Sequence, residues 1–102
     1  MIHVIATIEL VPGKRDSFLA EFRKVIPLVR AEHGCLEYGA TVDVATDIAA
    51  QVPPRPDVAT IVEKWQSLAA LQAHLTAPHM VAYRPKVKDF VVAAKLQILE
   101  PA

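Results

Sequence analysis

The sequence predicts an α+β domain of order βαββαβ, and three observations predict it. Apolar residues alternate over 2–10, 58–65 and 91–99, they recur at helical spacing in between, and proline or glycine punctuates each change of period. That order is the ferredoxin-like arrangement, one antiparallel sheet with its helices on a single face. The chain of 102 residues is expected to form one domain, 1–102, large enough for a small core.

In the first strand, Ile2, Val4, Ala6, Ile8 and Leu10 share one side, while His3, Ile5, Thr7 and Glu9 share the other. Pro12-Gly13 ends it. From Lys14 the stripe Phe18, Phe22, Val25, Ile26 and Val29 predicts a long amphipathic helix, with Pro27 introducing a kink and Gly34 placed for a C-terminal cap. Residues 35–44 read as a second strand. "ATDIAAQVPPRPD" has no period and three prolines in a short stretch, the signature of a loop. Residues 58–65 form a third strand, after which Ser67 is placed as an N-cap and Leu68, Leu71 and Leu75 form a helical stripe that Pro78 ends. A further helical piece over 79–89 is expected to be interrupted at Pro85. The fourth strand, 91–99, alternates Val92, Ala94, Leu96 and Ile98 against Val91, Ala93, Lys95 and Gln97.

Composition excludes several classes of partner. Lys plus Arg and Asp plus Glu each number 11, so no long-range field favours nucleic acid, and the few aromatics are not interleaved with basic residues. No apolar run approaches a bilayer span, and the N-terminus lacks the charged start and cleavage site of a signal peptide, so no membrane partner and a cytoplasmic location are expected. The single cysteine, Cys35, cannot make an internal disulfide and reads as a buried spectator.

Two main helices cover one face of four strands, yet the first and last strands carry apolar side chains on both faces. A bare face of that kind would exceed the roughly 300–600 Å² typical of the largest apolar patch on a monomer. A homodimer packed sheet to sheet, a dimeric α+β barrel, is the expected solution.

"GCLEY" (34–38), "VEKWQSLAALQAHLTAPHM" (62–80) and "LQILEP" (96–101), in this element order, resemble the antibiotic biosynthesis monooxygenase domain family, and within it the short bacterial quinol monooxygenases. The resemblance spans the whole chain. It implies a dimeric α+β barrel and a cofactor-independent monooxygenase that oxidises quinol or polyphenol substrates with O₂. It also implies that Trp65 lies in a cavity between sheet and helices. In the haem-degrading branch of that superfamily, an Asn, a Trp and a His form the site; here Thr7, His74 and Arg84 stand at the corresponding positions, which argues against haem.

A reaction of that type needs a flat apolar cavity, a base and exclusion of water. The catalytic candidates are His74, on the margin of the second helical stripe and still hydrated enough to titrate, Trp65 as a stacking wall, and Glu63, either orienting His74 or acting as the base itself. Ile61 and Thr7 are candidate lining residues. Tyr83 and Arg84 are placed to reach a substrate oxygen from the mouth, and His79, which follows Pro78, is a further candidate for substrate binding. No metal site is expected: on one continuous helix His74 and His79 would diverge by about 140°, and no third ligand is evident. Two other functions fit the same residues. One is an isomerase or degradation enzyme for a small carbonyl metabolite; the other is a non-catalytic dimeric module that binds a ligand, or a protein through "QVPPRP" (51–56).

Overall fold

A computed structural model describes residues 1–102. The elements are β1 (Ile2–Leu10), α1 (Arg15–Arg30), β2 (Cys35–Thr41), β3 (Val58–Trp65), α2 (Leu68–Leu75), α3 (Pro78–Val87), a 3₁₀ turn (Lys88–Phe90) and β4 (Val91–Leu99). They form one antiparallel sheet in the order β2-β3-β1-β4, the expected ferredoxin-like α+β arrangement.

Register decides which side chains meet the helices. Val4 lies opposite Glu63, Ala6 opposite Ile61 and Ile8 opposite Ala59, while Tyr38 lies opposite Glu63 from the other side. Paired residues point to the same face, so these side chains form a single buried layer. Against it α1 sets Phe18, Leu19, Phe22, Val25 and Val29. Leu19 joins the stripe expected from sequence, and Ile26 is only half-buried at its margin.

Several local expectations need correction. α1 runs unbroken through Pro27, which lies in its last turn, where one missing donor disturbs little. Gly34 does not cap α1; it sits beyond the turn at residues 31–33 with φ +82°, and its carbonyl accepts the Gln66 N–H at 2.8 Å. β2 stops at Thr41, and residues 42–57 carry no helix or strand. Arg55 pins that loop through a two-pronged pair with Asp43, at 2.8 and 3.0 Å, and these hydrogen bonds hold the Asp43 carboxyl down at about 2. Ser67 caps α2 as expected, accepting Ala70 N–H at 3.2 Å. The buried face of α2, however, is Ala70, Leu71 and His74, whereas Leu68 and Leu75 are exposed. Pro78 does not end α2; it opens α3, which continues through Pro85.

The face away from the helices is less apolar than the strand pattern suggested. Thr7 lies between Thr60 and Lys95, and His3 between Lys64 and Leu99. The larger departure lies on the helix side. α1 packs on β2 and α3, and α2 packs on β3, but no helix is packed extensively against β4. Leu96 and Ile98, opposite Ala6 and Val4, therefore stay 51% and 45% exposed. No helix is long and apolar enough to cross a membrane.

Candidate active site

Because the helices stop short of β4, a cavity of about 760 Å³ opens between sheet, α1 and α3. Its walls are mostly apolar, including Ile61, Phe22 and Met80, and its size is that of a small-molecule site. A few polar groups converge on it: Glu63, His74, Tyr38, Tyr83, and the cations Arg84 and Lys88.

His74 sits on α2 one turn past Ala70 and Leu71, so the face that docks the helix also carries its imidazole inward. It is 2% exposed, not half-hydrated at a stripe margin as its sequence position suggested. Trp65 lies behind the ring at 4.7 Å and Tyr38 meets it edge-on at 5.3 Å. Nδ1 of His74 is 2.8 Å from Oε2 of Glu32, in the turn between α1 and β2. Nε2 makes no hydrogen bond, yet no buried polar atom goes without a partner, so Nε2 reaches the cavity surface that His74 lines.

Glu63 lies one strand-repeat before Trp65 and accepts the indole N–H at 2.9 Å. Sequence reasoning offered it as the group that orients His74; that position belongs to Glu32. Burial, reinforced by the Glu32 charge, pushes the Glu63 carboxyl above its ordinary value, while the Trp65 bond and His74 oppose the shift. Tyr38 and Tyr83 flank Phe22, at 5.3 and 6.2 Å, and burial raises both phenols, so they keep their protons as donors.

The structure brings His74, Glu63, Ile61, Tyr83 and Arg84 to one cavity and separates the other candidates from it. Thr7 projects from the opposite face of the sheet. Trp65 is fully buried and backs His74 without lining the cavity, so it cannot stack on a ligand there. His79 is outside the cavity, and its Nε2 is 2.8 Å from the same Glu32 oxygen. The expected divergence of the two histidines fails because α2 ends at Leu75 and His79 belongs to α3. Glu32 was missed: an acid in a polar turn gives no sequence signal. Tyr38 also lines the cavity. Cys35 is half-buried, its thiol pushed up by burial and by Glu32.

Glu32, His74 and His79 bring three donor atoms within 4.8 Å of one another, a set of types that binds divalent metals. A tetrahedral metal about 2.1 Å from each donor would hold them roughly 3.4 Å apart. Both nitrogens are 2.8 Å from one oxygen, the spacing of shared protons. In this structure the Glu32 carboxylate accepts a hydrogen bond from each ring.

Residues 1–86 match the family model described as antibiotic biosynthesis monooxygenase. The chain belongs to that family. It is 41% identical over 103 residues to the protein named probable quinol monooxygenase YgiN of Escherichia coli K12, covering 99% of this chain and 98% of that one. Among solved structures it is similar to PA3566 from Pseudomonas aeruginosa, with TM-score 0.80, 25% identity and 99% and 93% coverage. Rv0793 from Mycobacterium tuberculosis gives TM-score 0.79, 25% identity and 99% and 94% coverage. Membership and the full-length relative together support a monooxygenase.

Proposed function

We propose that this family member oxidises quinol-type aromatic substrates with O₂, using no cofactor, with His74 as the general base. One observation carries the reading: a buried imidazole whose Nδ1 is bound to a carboxylate and whose Nε2 opens onto an apolar cavity. The Nδ1–H···Oε2 bond fixes the tautomer that leaves the Nε2 lone pair free, as a base requires.

In the proposed reaction the ring lies among Phe22, Tyr38 and Ile61, and a quinol O–H gives its proton to Nε2. Glu32 then faces an imidazolium and stabilises it through the charge-assisted bond, with His79 holding the carboxylate in place. The quinolate becomes a far better electron donor to O₂. One oxygen atom enters a ring C–H bond, and the ring's own two electrons reduce the other to water, giving a hydroxyquinone with no external reductant. The tyrosine phenols, protonated throughout, can donate to the developing oxyanions, and the apolar walls exclude water from the reduced oxygen. A homodimer is part of the proposal, because Leu96 and Ile98 on β4 present apolar side chains beside the cavity that a second subunit would cover.

Mixing the chelator-treated protein with a reduced naphthoquinol should give O₂ uptake well above autoxidation, and His74→Ala should return it to the blank. Uptake no faster than the blank, or undiminished in His74→Ala, refutes the assignment.

A further inference from the structure

We propose that the substrate carries an anionic substituent, an aryl carboxylate, held at the cavity mouth by Arg84 and Lys88. This rests on the quinol reading of the same cavity and narrows its substrate class.

The cavity is polarised along its length. Its inner groups are Glu63, His74 and Tyr38, all buried, while Arg84 and Lys88 line it yet are exposed. The two cations are four residues apart at the end of α3 and the start of the 3₁₀ turn, a spacing that places them on one side. Neither takes part in an ion pair: the lysines and arginines paired in this structure are Lys24, Arg55, Lys64 and Lys95. Arg84 is nevertheless held. One guanidinium nitrogen donates to the carbonyl of Leu75, the last residue of α2 and, like Arg84, a lining residue of the cavity, and the guanidinium makes no other hydrogen bond.

Asp89 follows Lys88 in the 3₁₀ turn and the Glu21 charge reaches Tyr83, but neither acid lines the cavity or pairs with Arg84 or Lys88. α3 contains no acidic residue, and the one acid lining the cavity, Glu63, is bound to Trp65 at the inner end. A ligand with phenolic oxygens inward and a carboxylate outward matches this gradient: its hydroxyl reaches Nε2 of His74, its rings meet the apolar walls, and its carboxylate meets a guanidinium fork and an ammonium. A neutral quinol would leave both cations to water. The cations then set orientation, which decides whether a hydroxyl or a ring edge faces the base.

The test is calorimetric binding, without O₂, of 6-hydroxy-2-naphthoate, whose hydroxyl and carboxylate lie at opposite ends of the ring system, and of its uncharged carboxamide, which has nearly the same shape. The carboxylate should bind about tenfold tighter at low salt, from two exposed ion pairs each contributing about threefold. The preference should shrink at high salt and fall to within about twofold in the Arg84→Gln/Lys88→Gln double variant. Equal affinities in the wild type, or a preference that survives the double substitution, overturn the proposal. Failure of the quinol reading shows separately: the carboxylate preference would remain while no reduced naphthoquinol, with or without a carboxylate, is consumed.

Discussion

Replacing Gly34 with alanine perturbs the joint that brings Glu32 to His74. Gly34 has φ +82°, where an L side chain costs about 1–2 kcal/mol. A Cβ there would also lie 2.6 Å from Cβ of Ala70, on the docked face of α2, so helix and turn must separate. Overpacking of that kind costs about 1–3 kcal/mol, giving roughly 2–5 kcal/mol in total. Against the stability of about 5–15 kcal/mol usual for a domain, that is a large fraction. Urea unfolding should show the loss as a lower midpoint at unchanged slope, and the melting temperature should fall by at least about 8 °C. Ala70→Gly removes the opposing methyl and should recover the steric share but not the backbone share. In the double variant the two losses should therefore add to about 1–3 kcal/mol less than their sum. A Gly34→Ala protein within about 0.5 kcal/mol of wild type, or strict additivity with Ala70→Gly, would show that α2 is not seated on this turn.

The remaining predictions concern the ionisable groups. Glu32→Gln removes the negative charge behind the base, and a hydrogen bond to a charged group contributes about 1.5–3 kcal/mol; kcat for quinol oxidation should fall about 10- to 100-fold with little change in KM. A kcat within twofold of wild type would remove Glu32 from the reaction. The Glu63 carboxyl is raised above its ordinary 4.5, so between the two values the folded protein binds more protons than the unfolded chain. Stability therefore falls as pH rises from about 4.5 through the folded value and stays lower above it. Glu63→Gln keeps an oxygen for the Trp65 N–H and should raise the melting temperature at neutral pH while changing it little below pH ~4. A lower melting temperature at neutral pH would contradict the sign.

Element order along the chain and most element positions were legible because strands and helices write their patterns locally. Alternation over 58–65 marked β3 residue for residue, and the parity that pairs Ile61, Glu63 and Trp65 placed them on one face. Helix faces were harder to read. Leu68, Leu71 and Leu75 looked like the buried stripe of α2, but Leu68 and Leu75 project outward and His74 takes the core position. In so short a helix, a single docking partner outweighs the count of leucines. The prolines misled for a related reason: at the first position of α3 and near the end of α1, proline is compatible with a helix, and only the backbone path shows which case applies.

By itself the sequence determined the α+β class, the ferredoxin-like strand–helix order, the resemblance to a monooxygenase family and the stretch that carries His74, because periodicity and motif spacing are properties of neighbouring residues. The tertiary structure alone decided that Glu32, 42 residues before His74 in the chain, is its partner, that Trp65 backs His74 without facing the cavity, and that Thr7 lies on the far side of the sheet. Those facts depend on strand register and on the angle at which two short helices meet a turn. Both are fixed by packing between distant segments, and no local spacing encodes them.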